Sequence, residues 1–144
     1  MTRVYISTVL PAPVTSVWRV VRNFNGLPEW TPFVTASRIE GGMHPDQIGC
    51  IRNFQLGNGD TIREQLLALS DYDMSCTYSI LESGMGVRDY IATLSLIPVT
   101  DGNRTFASWE ANFDCDPQAE SGLIDQIGQG VFQTAFDALK KRFS

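Results

Sequence analysis

The period of the apolar positions changes along the chain, and these changes mark out its elements. Residues 3–10 alternate, with Val4, Ile6 and Thr8 set against Tyr5, Ser7 and Val9, which predicts a first strand. Pro11-Ala12-Pro13 ends it. The segment 14–23 carries Val17, Trp18, Val20 and Val21 and predicts a short amphipathic helix. Asn25-Gly26-Leu27-Pro28 breaks that helix, and Glu29-Trp30-Thr31-Pro32-Phe33 predicts a second helical turn. Trp18 and Trp30 then read as wedges sealing one end of a core. From Val34 onward the texture is strand, turn, strand, with strands predicted near 34–41, 49–56, 60–70, 74–83, 87–98 and 104–114. Gly41-Gly42, Gly57-Asn58-Gly59-Asp60, Asp71 to Asp73, Ser83-Gly84-Met85-Gly86 and Asp101-Gly102-Asn103 punctuate them. Loops this short favour antiparallel neighbours, so the middle of the chain is a meander of hairpins.

The last stretch, Asp116 to Phe143, has helical spacing throughout. Leu123, Ile127, Val131, Ala135 and Leu139 recur every four residues, and Ile124, Phe132, Phe136 and Phe143 widen the stripe. Asp116 is placed to cap this helix, Pro117 suits its first turn, and Lys140-Lys141-Arg142 complements its C-terminal dipole. At ~1.5 Å per residue it spans about 40 Å, enough to cross a small domain. An apolar face of that length needs a curved sheet to lie against. The whole therefore reads as one α+β domain over residues 1–144, with about seven antiparallel strands curved around a long C-terminal helix and two short helices after the first strand. Gly122, Gly128 and Gly130 interrupt the helix, each at a cost of about 1 kcal/mol relative to alanine. They mark either close packing against a strand or room for a guest between helix and sheet.

Composition changes this picture little and excludes much. A chain of 144 residues with 43% hydrophobic and 19% charged residues is an ordinary globular domain able to bury a core. A net charge of −5, with no run of Lys or Arg between aromatics, argues against a nucleic-acid partner. The first residues alternate and lack the continuous apolar core of a signal peptide, and no stretch reaches the ~20 apolar residues of a membrane span. Cys50, Cys76 and Cys115 are odd in number and lack CxxC spacing, so they read as buried thiols in a reducing, cytoplasmic setting. No metal or other cofactor is expected.

Several short stretches carry a resemblance. Trp30-Thr31-Pro32-Phe33 stands before the second strand, Gly49-Cys50-Ile51-Arg52 leads into the third, and Arg63-Glu64-Gln65-Leu66-Leu67 lies on the fourth. Tyr90, Trp109-Glu110 and the closing helix complete the pattern. In this order the chain resembles the START-related helix-grip (SRPBCC) superfamily, and most of all its polyketide cyclase/dehydrase-like bacterial group. The superfamily also holds the birch-pollen allergen, lipid-transfer domains and plant abscisic acid receptors. The resemblance implies an apolar cavity between sheet and long helix, in a superfamily of carriers, sensors and enzymes, so fold alone does not choose among them. Asn58-Gly59 and Gly84-Met85-Gly86 match in position the two loops that close over ligand in the plant receptors, but the gate and latch sequences are absent.

Alternation assigns the side chains that face such a cavity. Arg52, Phe54 and Leu56 share one face of the third strand, and Ile62, Glu64 and Leu66 one face of the fourth. Tyr78 and Ile80 face inward from the fifth strand, and Tyr90, Ala92, Leu94 and Leu96 from the sixth. Ile127, Val131 and Ala135 approach from the helix. For the seventh strand the resemblance favours Ser108, Glu110 and Asn112 inward, which leaves Trp109 and Phe113 outside as a possible homodimer contact. Arg52, Glu64, Glu110, Tyr78 and Tyr90 would then converge on one apolar chamber. Such groups are costly to bury unless they are paired. An internal Arg52–Glu64 ion pair is one arrangement; a polar end that orients a ligand's hydroxyl, carbonyl or carboxylate is the other. The expected function is binding of a small apolar or amphipathic, lipid- or polyketide-like molecule. The alternative is a cyclase or dehydratase using Glu64 with Tyr78 or Tyr90 for acid/base chemistry. His44 lies in the loop 42–49 and reads as solvated.

Overall fold

The computed structural model describes residues 1–144. Strand β1 (Thr2–Leu10) is followed by helices α1 (Val14–Val21) and α2 (Leu27–Trp30). Strands β2 (Val34–Ile39), β3 (Ile51–Leu56), β4 (Thr61–Ser70), β5 (Ser75–Glu82), β6 (Arg88–Val99) and β7 (Arg104–Asp114) follow. The seven strands form one antiparallel sheet in the order β1-β7-β6-β5-β4-β3-β2, so only β1 leaves its sequence neighbour, to pair with β7. The two short helices span from one edge strand to the other. The predicted boundaries hold to within a few residues, because prolines after β1 and turns rich in Gly, Asn and Asp after most of the later strands fix where they stop.

The closing helix is continuous but not uniform. A 3-10 turn (Pro117–Ala119) leads into α3 (Glu120–Asp125), a π-helical stretch (Gln126–Gln133) and α4 (Thr134–Phe143). The spacing of its apolar residues explains the wide turns. On an α-helix, residues four apart overshoot by ~40° at each step, so a stripe from Leu123 to Leu139 would drift by about 160°. A π stretch bonds to the fifth residue, turns more widely and removes much of that drift. Leu123, Ile127, Ala135 and Leu139 are accordingly all buried. Asp116 does not cap the helix with its side chain; its carboxylate lies 3.5 Å from Arg88 instead.

The three helix glycines have three different surroundings. A Cβ on Gly128 would meet Val4 Cγ1 at 3.4 Å, so this glycine lets the helix backbone approach β1. A Cβ on Gly130 would meet nothing within 4 Å, and Gly130 lies exposed at the rim of the cavity described below. Gly122 is exposed and nothing in the structure explains it.

One expectation is overturned. On β7 the buried residues are Thr105, Ala107, Trp109, Ala111 and Phe113, and Glu110 points outward. Register gives the reason: Trp109 sits opposite Leu94 of β6 and Ile6 of β1, on the side facing the helix. Glu110 pairs with Arg3 across the outer face at 2.7 Å. Trp109 and Phe113 are core residues, so the surface patch that suggested a homodimer does not exist.

Outer-face electrostatics carry one pH prediction. Hydrogen bonds from Arg63 and then Asn53 hold the Glu40 carboxyl down at about 2. A folded value below the unfolded one stabilises above the unfolded value and is lost as pH falls, here between about 4.5 and about 2. The stability gap between the parent and Glu40→Gln in urea is therefore expected to be widest near neutral pH and to close across that acid window. A gap that does not change with pH would show that the cluster contributes nothing.

Candidate functional site

A cavity of about 520 Å³ lies between the sheet and the π stretch of the closing helix. Its walls are Phe54, Leu56, Ile62 and Ile80 from the sheet, Leu27 and Phe33 from the α2 region, and Ile127 and Val131 from the helix. Asn58, Asp60, Gly84, Gln126 and Gly130 also line it and are exposed, which places the mouth between the β3–β4 turn, the β5–β6 loop and the helix. The buried end is polar: Arg52, Glu64, Tyr78 and Tyr90, with Trp109 behind them. Ala92 and Ala135 are buried in the core but do not reach the cavity wall. Glu110, on the outer face, has no part in it. Sequence reasoning missed Trp109, Leu27 and Phe33. For Trp109 the apolar alternation of β7 was the available signal.

The polar end is built on sheet register. Arg52 of β3 stands directly opposite Glu64 of β4, and Glu64 in turn faces Ile80 of β5. The guanidinium Nε donates to Glu64 Oε1 at 2.8 Å, and Nη2 lies 2.6 Å from the same oxygen. Nη1 donates to the carbonyl of Phe24 at 3.1 Å. The Arg52 cation also lies 4.0 Å from the Phe24 ring centroid and 4.7 Å from that of Tyr78. Both partners are almost fully withdrawn from solvent, at 5% and 6% exposure. Such a pair has a large desolvation penalty that only close geometry offsets.

The hydrogen-bond inventory leaves free valences there. Trp109 Nε1 donates to the Tyr78 hydroxyl at 3.1 Å, and Tyr78 in turn has the Tyr90 hydroxyl as a hydrogen-bonding neighbour, so the two phenols together leave one proton for a guest. Both Arg52 contacts to Glu64 go to Oε1, and no protein group donates to Oε2. Trp30 Nε1 is the one sealed side-chain polar atom without a partner, so Glu64 Oε2 opens on the cavity it lines. Burial pushes the Glu64 carboxyl above its ordinary value, while the Arg52 charge and hydrogen bond pull it back. Burial likewise pushes the Tyr78 and Tyr90 phenols well up, so both remain protonated donors.

Other candidates fall away on position. His44 is exposed beside Arg19 and Arg22 in a shallow polar recess remote from the cavity. The thiols of Cys50 and Cys76 are buried, and burial pushes Cys76 up to about 11, far from a reactive thiolate. No three His, Cys, Asp or Glu side chains are grouped to hold a metal ion. No helix is long and apolar enough to cross a membrane.

The profile of the family described as polyketide cyclase / dehydrase and lipid transport matches residues 1–144. No curated protein sequence matches the chain. Among solved structures, the chain is similar to a Thermobifida fusca protein at 28% identity and a TM-score of 0.90, covering 99% of this chain and 93% of that one. The protein XoxI of Bacillus cereus is 25% identical with a TM-score of 0.89, covering 99% and 96% of the two chains. A protein from Nitrosospira multiformis is 26% identical with a TM-score of 0.82, covering 99% and 96%.

Proposed function

The chain belongs to the polyketide cyclase/dehydrase and lipid transport family, and from that premise we propose that it binds one small apolar or amphipathic molecule in the cavity between sheet and closing helix. The observation that carries this reading is the cavity itself, about 520 Å³ with apolar walls and one buried polar end. That is within the usual range of ligand sites, which are mostly apolar with a few polar groups that set orientation. The guest's apolar part lies against Ile80, Ile127 and Val131, and its polar tip reaches Glu64, Tyr78 and Tyr90.

Blocking the mouth tests this. Gly130 is exposed on the cavity rim with open space where a Cβ would be, so Gly130→Phe fills the mouth without disturbing the core. The fluorophore 1-naphthol, neutral at pH 7 and tipped with a hydroxyl, is expected to bind the parent saturably, one per chain, and Gly130→Phe at least ~10-fold more weakly. Equal binding by both proteins would place it outside the cavity.

A second reading is favoured by the raised Glu64 carboxyl beside two protonated phenols. That arrangement suits general acid/base catalysis of an aldol-type cyclisation or a dehydration, with Tyr78 or Tyr90 polarising a carbonyl. Turnover of poly-β-keto precursors by the parent and its loss in Tyr78→Phe would support it, whereas a chain inert towards them would leave the binding reading alone.

A further inference from the structure

We propose that the cavity selects electrically neutral amphiphiles whose polar tip carries a hydroxyl donor, and that Glu64 is the residue that excludes carboxylates. The inference rests on the cavity being a ligand site and adds the chemical class of the ligand. A lone arginine at the end of an apolar pocket would invite an anion, since guanidinium pairs well with carboxylate. Here that charge is already spent. Arg52 gives Nε and Nη2 to Glu64 Oε1 and Nη1 to the Phe24 carbonyl. Its guanidinium is further held close to the Phe24 and Tyr78 rings.

The buried end is therefore neutral as a unit, and its unmet need is for a donor. Glu64 Oε2 receives no hydrogen bond from the protein and faces the cavity. An incoming hydroxyl satisfies it with a charge-assisted bond and can accept a hydrogen bond from a tyrosine in return. An incoming carboxylate has no donor to offer Oε2. It adds a second negative charge beside the first in a water-poor space, where like charges are strongly disfavoured. A guest with neither donor nor charge leaves Oε2 desolvated and unpaired, which is also costly. Neutral hydroxyl-tipped molecules, alcohols or phenols on an apolar body, are the class that meets all three conditions.

Three matched probes test this with the intact chain at about pH 8: 4-heptylphenol, its methyl ether 4-heptylanisole, and 4-heptylbenzoic acid. The phenol stays neutral there, since phenols titrate near ~10, and the benzoate is ionised. By calorimetry or fluorescence displacement the phenol is expected to bind roughly 10-fold or more tightly than the ether, the loss anticipated for one hydrogen bond to a charged acceptor. The benzoate is expected to bind more weakly still. In Glu64→Gln the order inverts: Arg52 loses its counter-charge, and the benzoate becomes the tightest of the three. Benzoate binding the parent as well as the phenol does, or an ether equal to the phenol, would overturn the proposal while leaving the cavity a ligand site. Failure of all three to bind would overturn the ligand-site reading itself, and this inference with it. The comparison within the parent stands even where Glu64→Gln does not fold.

Discussion

Replacing Arg52 by methionine is expected to destabilise the protein by about 3–5 kcal/mol, and by more as pH rises. The cause is the partner left behind. Glu64 is 6% exposed and Arg52 is the only hydrogen-bonding partner of its side chain in the protein, so the substitution strands a buried carboxylate. The sign of the pH effect follows from the direction of the shift. Burial already holds the Glu64 carboxyl above its ordinary value against the pull of Arg52, and losing Arg52 raises it further. A folded value above the unfolded one contributes stability below the unfolded value, and this is lost as pH rises through the folded value. The penalty in Arg52→Met should thus shrink as pH falls towards the ordinary carboxylate range and grow as pH rises above it, levelling off past the folded value. Acid usually weakens carboxylate-paired proteins, so the direction is diagnostic. Adding Glu64→Leu to Arg52→Met removes the stranded charge and should restore most of the stability, since apolar replacements of a buried pair are often neutral or better. Urea denaturation of both variants across pH measures this. A double variant no more stable than the single would show that the ion pair itself holds β3 to β4.

The second large effect is expected at Trp109, where alanine should cost about 3–5 kcal/mol, on the order of 10 °C in Tm for a chain of this size. Its ring stacks on Phe132 of the closing helix at 4.3 Å between centroids and 11° between planes. It also touches Phe136 and Trp30, each at 5.7 Å, so one side chain joins the sheet, the long helix and α2. Trp109→Phe keeps most of that stack and should cost much less, but it removes the donor to the Tyr78 hydroxyl. That variant separates packing from positioning. A ligand affinity that falls more than stability does would mark Trp109 as the group that orients Tyr78. A cost below about 1 kcal/mol for Trp109→Ala would return the residue to a surface role, where substitutions are usually that mild.

Trp109 also shows where reading the sequence succeeds and where it fails. Taken locally, β7 alternates cleanly, with Ala107, Trp109, Ala111 and Phe113 on one face and Ser108, Glu110 and Asn112 on the other. That pattern is enough to send the first set inward, and only the resemblance to ligand-binding relatives argued the reverse. Strands β3 to β6 were legible because their apolar residues alternate between short, unambiguous turns. The facing of Arg52 and Glu64 was legible for the same reason: once both are placed inward on neighbouring strands, the hairpin register brings them together. The π stretch left a trace in the four-residue spacing of Leu123 to Leu139, but recognising it needs the geometry of the sheet beneath. Cavity volume left no trace, because it depends on how far each large side chain reaches across a tertiary gap. Gly128 and Gly130 make this plain: two residues apart in one helix, one permits contact with β1 and the other opens on the cavity.

The most direct test of the account is isotope-filtered NMR on the labelled protein with unlabelled 4-heptylphenol, reading which protein protons lie beside the guest. The account predicts contacts from the heptyl chain to the methyl groups of Ile80, Ile127 and Val131, and from the ring to Tyr78 and Tyr90. Contacts confined to the outer-face side chains Ile91 and Ile97, which are exposed on β6, or no contacts with a saturating guest, would contradict it.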